Sequence, residues 1–173
     1  MIVEVSMELM CPSPIGILRI NAAREGEAWV LSGITIGETD GSADADNNPG
    51  DKQLMSPDRL PPVLADVQAQ LKAYFDGQLR RFAIPLANPR TVFQARLRAA
   101  MLNIPYGETA SYAGLAREIS SSPRAVGTGC GRNRIPIIVP CHRVVATTGL
   151  GGYSGGEGLR TKKDLLAHER RGL

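Results

Sequence analysis

The chain has 173 residues, of which 43% are hydrophobic and 21% are charged, a composition typical of a globular protein with one domain or two small ones. No run of residues approaches the roughly 18 apolar residues of a membrane span. The first residues also lack the basic lead and apolar core of a signal peptide. We therefore expect a cytoplasmic protein that does not act in a membrane.

The net charge of +3 hides an asymmetry along the chain. Residues 1–85 hold 7 Lys and Arg against 12 Asp and Glu, whereas residues 86–173 hold 13 against 5. A basic half of this kind is typical of a protein that binds a polyanion. If the charge excess is the only observation, an ordinary solvated surface explains it better than a polyanion site does.

The first half of the sequence predicts a small antiparallel sheet covered by a helix. Short apolar segments at 2–9, 16–22 and 29–36 are bounded by turn residues and predict strands. Residues 37–58 are rich in Gly, Asp, Asn and Ser, which predicts a mobile loop. Apolar residues recur at helical spacing from Pro62 to Phe75 and predict one amphipathic helix.

The second half predicts several short helices. Thr91 with Gln94 forms a capping box and predicts a helix to residue 102. Ser111 predicts the start of a second helix, to about residue 119, and Ser122 before Pro123 predicts a third. The last two, joined by a few residues, resemble a helix-turn-helix. Thr161 with Asp164 predicts the cap of a final helix.

The third of these helices contains Gly127, Gly129 and Gly131. Each glycine inside a helix costs about 1 kcal/mol relative to alanine, so close approach of another group must offset the cost. That group is either the wall of a DNA minor groove or a neighbouring helix of the same protein. The sequence favours neither explanation.

The most reactive triplet in the sequence is Cys141, His142 and Arg143, which follows the apolar run 135–139 and Pro140. A thiol is a strong nucleophile only as thiolate, and a neighbouring base or cation lowers its pKa from about 8.5. The imidazole and the guanidinium predict such an activation. This prediction outweighs the usual inertness of a buried cysteine, because the chain has only two histidines and one adjoins Cys141.

The cysteines are Cys11, Cys130 and Cys141, an odd number without a CxxC pair. This pattern is against a disulfide framework and against a zinc finger. We expect three free thiols in a reducing compartment, with oxidation between Cys130 and Cys141 left open.

Several motifs together match one known family. They are Ile104-Pro105-Tyr106-Gly107-Glu108-Thr109, Arg124-Ala125-Val126-Gly127, Pro140-Cys141-His142-Arg143-Val144 and Gly152-Tyr153-Ser154-Gly155-Gly156. The sequence resembles the O6-alkylguanine-DNA alkyltransferases, and Tyr74-Phe75 is similar to the family's N-terminal part. The resemblance implies an α+β fold. A small N-terminal antiparallel-sheet domain (ribonuclease H-like, residues 1–85) would precede a helical C-terminal domain (residues 86–173) with a winged-helix-like helix-turn-helix.

The resemblance also implies an activity. A protein of this family binds the minor groove of duplex DNA, flips out the damaged base and moves the alkyl group from guanine O6 to a cysteine, so each molecule acts once. Cys141 is then the acceptor, His142 the base acting through a water, and Glu169 the residue that orients His142. The implied partner is double-stranded DNA containing alkylated guanine, bound by a monomer without cofactor or metal.

The remaining site residues are implied in the same way. Asn133 is the hinge between the helix-turn-helix and the active-site segment. Arg124 enters the base stack in place of the flipped nucleotide. The other implied DNA-binding residues are Tyr112, Ala125, Gly127 and Arg143. The implied substrate pocket consists of Tyr112, Val144, Tyr153, Ser154 and Gly155.

The chain departs from the family pattern at several positions. Leu97 and Arg98 stand where many members have Trp, and Arg134 follows the hinge Asn where Pro is common. Either Lys162 or Lys163 matches the family's pocket lysine. The preferred alkyl group, action on O4-alkylthymine and cooperativity along DNA stay open.

Two other functions remain as alternatives. A non-catalytic protein that senses alkyl lesions would use the same fold, but such relatives replace the acceptor cysteine that this chain keeps. A cysteine hydrolase would use Cys141, His142 and Glu169 on acyl substrates. Adjacent Cys and His side chains are poorly placed for the direct proton transfer that such a hydrolase needs.

Overall fold

The computed structural model describes residues 6–37 and 60–172. It begins with three antiparallel strands, β1 (Ser6–Ser13), β2 (Gly16–Glu25) and β3 (Ala28–Ile36), which pair in that order. The predicted sheet is confirmed, and only its first predicted residues, 2–5, lie outside the described part. The predicted mobile loop at 37–58 also lies outside it, except for residue 37.

Helix α1 (Pro62–Phe75) has the bounds that the sequence predicts, and it contacts all three strands. Pro62 occupies the first turn, where its missing N–H costs no hydrogen bond. The apolar pattern in the sequence ends on Phe75, but Phe75 is only half-buried. Its neighbour Tyr74 is fully buried instead. The hydroxyl of Tyr74 is thereby carried into the interior of the protein.

The second half contains four helices and two short strands among the described residues. They are α2 (Val92–Leu102), β4 (Ala110–Ser111), α3 (Tyr112–Glu118), α4 (Pro123–Gly131), β5 (Val144–Val145) and α5 (Leu159–Arg171). Strands β4 and β5 pair in parallel. No helix of residues 6–37 and 60–172 is long and apolar enough to cross a membrane. The predicted α+β class is confirmed, while the helix-turn-helix role of α3 and α4 stays a prediction.

The three predicted caps of α2, α3 and α4 are confirmed. The side chains of Thr91, Ser111 and Ser122 accept hydrogen bonds from the backbone N–H three residues later, at 3.1, 2.9 and 3.2 Å. Each bond satisfies one of the N–H groups that a helix leaves unpaired at its start. The side chain of Gln94 accepts from Arg90 N at 3.0 Å, so the capping box closes one residue upstream of Thr91.

The predicted cap of the last helix is wrong. Helix α5 begins at Leu159, two residues before Thr161, because Gly158 turns the chain at a φ of +63°. Thr161 lies inside the first turn, and its Oγ1 accepts a hydrogen bond from Glu157 N at 3.0 Å. Thr161 thus accepts from a backbone N–H upstream of the helix. In the sequence alone, a threonine in this role looks the same as a capping threonine.

The glycines of α4 have two different surroundings. A Cβ on Gly129 would overlap Leu97 and lie 3.1 Å from a ring carbon of Phe93, so this glycine lets α4 lie close against α2. A Cβ on Gly127 would only touch Tyr112 at 4.0 Å, and one on Gly131 would meet no described atom within 4 Å. Helix packing inside the protein therefore explains Gly129, and it leaves the face with Gly127 and Gly131 open.

Strand β3 connects the two halves of the chain. Leu31 exchanges backbone hydrogen bonds with the segment at 85–87, at 2.8 and 2.9 Å, and Ile34 N donates to Arg134 O at 2.7 Å. One cluster of buried apolar residues runs from Cys11 in β1 to Leu165 in α5. The sheet thus supports the segment that leads into the reactive triplet, and the domain boundary at residue 85 stays a prediction.

Candidate active site

The buried segment before Cys141 is a series of tight turns. Residues 135–140 are all buried, as the sequence predicts, and Val139 N donates to Ile135 O at 2.9 Å. Ile137 has a φ of +72°, a left-handed conformation that a β-branched side chain rarely adopts. Such a conformation costs on the order of 1–3 kcal/mol and persists only where the surrounding structure enforces it. Its place four residues before Cys141 suggests that it fixes the direction in which the thiol is presented.

Asn133 holds these turns in place. Its Nδ2 donates to Val139 O at 2.8 Å, and its Oδ1 accepts from Ile135 N at 3.1 Å. Because Asn133 lies two residues after the end of α4, its amide links this end of the helix to both ends of the turn. This placement matches the connection expected of the hinge residue, although its role in DNA binding stays a prediction.

Cys141 is buried and begins a single 3-10 turn, Cys141–Arg143. Burial raises the pKa of its thiol, and this effect outweighs the lowering by Asn133 and Lys162. The prediction that His142 and Arg143 activate the thiol by lowering its pKa is therefore wrong for the free protein. Burial therefore favours the neutral thiol of Cys141 in the free protein.

Glu169, on α5, is the centre of a buried hydrogen-bond network. Its Oε1 lies 2.7 Å from His142 Nε2 and accepts from Tyr74 Oη at 2.8 Å. Its Oε2 accepts from Gly107 N at 3.0 Å, and Arg143 donates to both oxygens at 2.9 Å. Burial raises the pKa of this carboxyl, but the hydrogen bonds from His142 and Arg143 prevail and hold the pKa well below its usual range. Glu169 is therefore an anion.

The protonation of His142 follows from this network. Burial lowers the pKa of the imidazole more than Glu169 raises it, so the ring is neutral. The anionic Oε1 of Glu169 requires a proton on Nε2, which leaves Nδ1 as an acceptor. Nδ1 is buried and meets no hydrogen-bond partner among the described residues. His142 is thus a neutral base: Nε2 is held by Glu169, and Nδ1 is buried without a hydrogen-bond partner among the described residues.

The predicted contact between Arg143 and DNA is contradicted by its surroundings. The side chain is buried, and its guanidinium donates to Glu169 and, at 2.7 Å, to Ile104 O. A guanidinium held by a buried carboxylate cannot reach a phosphate at the surface. Arg143 instead provides the positive charge that makes a buried anionic Glu169 tolerable.

A surface pocket opens at Cys141, between α4 and the segment 152–154. Its lining residues are Tyr112, Pro123, Arg124, Gly127, Cys130, Gly131, Cys141, Gly152, Tyr153 and Ser154. Three of the five predicted pocket residues, Tyr112, Tyr153 and Ser154, thus line one pocket with the thiol. Val144 and Gly155 are not among its lining residues, and Ala125 is half-buried on α4. The mouth carries the exposed side chain of Arg124.

Lys162 fixes the loop that forms one wall of this pocket. Its buried Nζ donates to Val144 O and Leu150 O at 2.6 Å each, and to Gly152 O at 3.1 Å. Three carbonyl acceptors match the three donors of an ammonium group, so the buried charge is satisfied. The neighbouring Lys163 is exposed. The open choice between the two lysines is resolved in favour of Lys162.

The backbone at Gly151 lies close against the ring of Tyr112, which lines the pocket. Gly151 has a φ of +68°, and a Cβ there would lie 2.6 Å from a ring carbon of Tyr112. The hydroxyl of Tyr112 donates to Gly152 O at 3.3 Å, and Lys162 Nζ lies 5.7 Å from the centre of its ring. Only glycine fits at position 151, for both conformational and steric reasons.

Tyr74 and Cys130 are two site residues that sequence reasoning missed. Tyr74 lies 95 positions before its partner Glu169, and the predicted apolar face of α1 ended on Phe75 and did not include it. Cys130 lines the pocket beside Cys141, but burial raises the pKa of its thiol to about 12, and its Sγ lies 3.8 Å from Met101 Sδ. Its nearness to Cys141 in sequence was the only available signal.

Comparison with known proteins supports the resemblance. Residues 92–171 match the family model described as the DNA-binding domain of 6-O-methylguanine DNA methyltransferase. A methylated-DNA–protein-cysteine methyltransferase of Mycobacterium leprae is 49% identical over 111 residues, which cover 62% of this chain and 66% of that protein. One from Mycolicibacterium paratuberculosis is 47% identical over 114 residues, covering 64% of this chain and 68% of that protein. The matches thus span about two thirds of the relatives' length.

Solved structures extend the similarity to nearly the whole chain. The crystal structure of Mycobacterium tuberculosis O6-methylguanine methyltransferase is 35% identical, with a TM-score of 0.74 over 98% of this chain and 95% of that one. The same organism's OGT in complex with DNA is 35% identical, with a TM-score of 0.71 over 96% and 93%. The chain therefore belongs to the methylated-DNA–protein-cysteine methyltransferase family.

Proposed function

We propose that this protein repairs DNA by moving the alkyl group of O6-alkylguanine irreversibly to Sγ of Cys141. The observation that carries the proposal is a buried thiol at the base of an open pocket, directly followed by His142, whose imidazole is neutral and fixed by Glu169. The thiol supplies the nucleophile and the imidazole the base. A protein that only senses lesions has no need for either group.

The bonding changes of this transfer balance without an oxidant or a cofactor. As the thiol proton moves through a water to Nδ1 of His142, the sulfur forms a bond to the alkyl carbon. The bond between this carbon and guanine O6 breaks, and its electron pair remains on the base, which takes up one proton. The products are unmodified guanine and a thioether. Because a thioether has no leaving group that water can displace, each molecule reacts once.

The bound DNA would lie across α4, so that the pocket faces its minor groove. The open face with Gly127 and Gly131 allows close approach of the duplex, and the neighbouring Arg124 is exposed. The second half of the chain, with 13 Lys and Arg against 5 Asp and Glu, suits a phosphate backbone. Since such contacts do not read bases, binding by a single protomer is expected to be salt-dependent and nearly independent of sequence.

The test is to incubate the protein with duplex DNA containing one labelled O6-methylguanine. We expect one equivalent of label to appear on the protein and mass spectrometry to find one methyl group on the Cys141 peptide. Identical DNA with unmodified guanine serves as the control. Label that stays on the DNA, or that appears on another residue, would contradict the proposal. Repeated turnover would contradict the irreversible thioether.

Replacing Arg124 with alanine separates base flipping from chemistry. The side chain is exposed at the mouth of the pocket, where it can fill the space of a flipped nucleotide. Flipping costs a few kcal/mol, so we expect repair in duplex DNA to slow by roughly 10- to 100-fold. Transfer from the free base O6-benzylguanine, which needs no flipping, should keep its rate.

The matched control is Arg132→Ala, which removes another exposed arginine near the end of α4 that does not line the pocket. It should weaken binding to duplex DNA modestly and in a salt-dependent way. At saturating DNA, its repair rate in the duplex should match that of the wild type. Equal losses of Arg124→Ala in the duplex and free-base assays would show that Arg124 supports the pocket and not the extrusion of the base.

A further inference from the structure

We propose that Tyr74, on helix α1 of the N-terminal half, is a positioning residue for alkyl transfer that acts through Glu169 on His142. This inference rests on the proposed function. It assigns to the N-terminal half a direct part in the proton relay, in addition to its place in the shared core.

The first observation is a shared oxygen. Tyr74 Oη donates to Glu169 Oε1 at 2.8 Å, and His142 Nε2 lies 2.7 Å from the same atom. All three side chains are fully buried. Arg143 Nη2 also donates to Oε1, at 2.9 Å. Three donors on one carboxylate oxygen compete for its lone pairs, so the hydroxyl affects the direction and the strength of the bond to the imidazole.

The second observation is that the backbone of Tyr74 is also tied to α5. Its carbonyl oxygen lies 2.8 Å from His168 Nε2, so two adjacent residues of α5 contact one residue of α1. The ring of Tyr74 lies 5.4 Å from that of Phe82 and 6.0 Å from that of Tyr106. These contacts leave the ring little freedom, so the hydroxyl is presented to Glu169 in one orientation.

The third observation concerns charge. Burial, together with the charge of Glu169, raises the pKa of Tyr74, so the phenol keeps its proton and acts only as a donor. A neutral donor stabilises the anionic form of Glu169 without adding a second cation beside Arg143. The hydroxyl therefore weakens the attraction of Oε1 for the imidazole proton without adding charge.

The titratable and charged groups near His142 and Tyr74 come from several elements. Arg143, Lys162 and Glu169 act on His142, which directly follows Cys141. Tyr106 and His168 lie beside the ring of Tyr74, and Arg80 lies over the ring of Tyr106. Of the tyrosines in this set, only Tyr74 donates to Glu169; the hydroxyl of Tyr106 is buried and meets no partner among the described residues. Tyr106→Phe is therefore a matched control, since it removes a buried hydroxyl from the same aromatic cluster.

The experiment compares Tyr74→Phe, Tyr106→Phe and the wild type. The rate constant of transfer to Cys141 at saturating lesion DNA is measured as a function of pH, together with the affinity for that DNA. In Tyr74→Phe, Oε1 loses one donor and attracts the imidazole proton more strongly. The acidic limb of the profile should therefore move to higher pH by roughly half a unit. Because Oε1 is also less firmly oriented, the plateau should fall by up to about tenfold. DNA affinity should be unchanged, and Tyr106→Phe should match the wild type.

Two outcomes are separable. If the wild type transfers the alkyl group and Tyr74→Phe has the same pH profile and plateau as Tyr106→Phe, the role of Tyr74 is overturned and the proposed function stands. If the wild type transfers nothing, the proposed function fails and the role of Tyr74 with it.

A measurement on the wild type covers the case in which Tyr74→Phe does not fold. The hydroxyl proton of Tyr74 should exchange slowly with water and give a downfield NMR signal that moves when Glu169 is changed to Gln. A hydroxyl proton in rapid exchange would overturn the proposal.

Discussion

Changing Cys141 to alanine should abolish alkyl transfer completely while leaving DNA binding in place. The substitution removes one sulfur atom from a buried site at the base of the pocket, so no nucleophile faces the alkyl carbon. The network around Glu169 does not involve this sulfur. The fold and the surface near Arg124 should therefore survive. The measurement is the methyl transfer assay on labelled duplex DNA, together with a binding titration on the same DNA.

The other two cysteines provide the controls. Cys11 is buried in β1 of the N-terminal sheet, so Cys11→Ala should leave transfer intact. Cys130 lines the pocket, but with a pKa of about 12 its thiol carries almost no thiolate near neutral pH. In Cys130→Ala the methyl group should still arrive on Cys141. Transfer by Cys141→Ala, or its loss in Cys11→Ala, would show that another group is the acceptor or that the thiols are essential for folding.

A Cys141→Ala protein would also reproduce the alternative function. It should bind lesion DNA without repairing it, as a lesion-sensing protein does. Comparison of its binding with that of the wild type thus measures how much of the DNA affinity depends on the chemistry. A hydrolase acting on acyl substrates would instead show repeated turnover of a thioester in the wild type, which Cys141→Ala would remove.

The elements of this protein could be predicted from local sequence because local signals determine them. The helix at Pro62–Phe75 and the caps at Thr91, Ser111 and Ser122 depend on residues within one turn. The cap at Thr161 was predicted wrongly for the same reason, since a threonine in the first turn and a threonine before it look alike in sequence. The helix starts at Leu159 because the chain turns at Gly158, which has a positive φ.

The site was less accessible to sequence reasoning because its contacts are distant along the chain. The pairing of His142 with Glu169 was expected only by resemblance, and the bond from Tyr74, 95 residues away, was not expected at all. The implied DNA contact of Arg143 does not fit the structure, in which this side chain is buried. Its burial beside Glu169 depends on how α5 packs on the 3-10 turn, which no local pattern reports.

Glu169→Gln should slow alkyl transfer by roughly 10³-fold or more and also destabilise the fold. An amide at this position can donate to Nε2 of His142 and thereby move the ring proton to Nδ1, the nitrogen that must accept the thiol proton. It also leaves the buried guanidinium of Arg143 without its counter-charge. Breaking a buried ion pair by removing one partner costs about 3–5 kcal/mol.

The two effects of Glu169→Gln can be measured separately. Chemical denaturation gives the change in the free energy of unfolding, and the transfer rate is followed at a temperature where the variant is fully folded. Asp76→Asn is the matched control, because Asp76 pairs with Lys72 and both side chains are exposed, so the loss of this pair should cost no more than about 1 kcal/mol. A Glu169→Gln variant that is destabilised but transfers at the wild-type rate would show that Glu169 anchors Arg143 without orienting His142. One that is stable but slow would show that the buried charge pair adds little to the fold, and that its main contribution is to hold the imidazole in the tautomer that accepts the thiol proton.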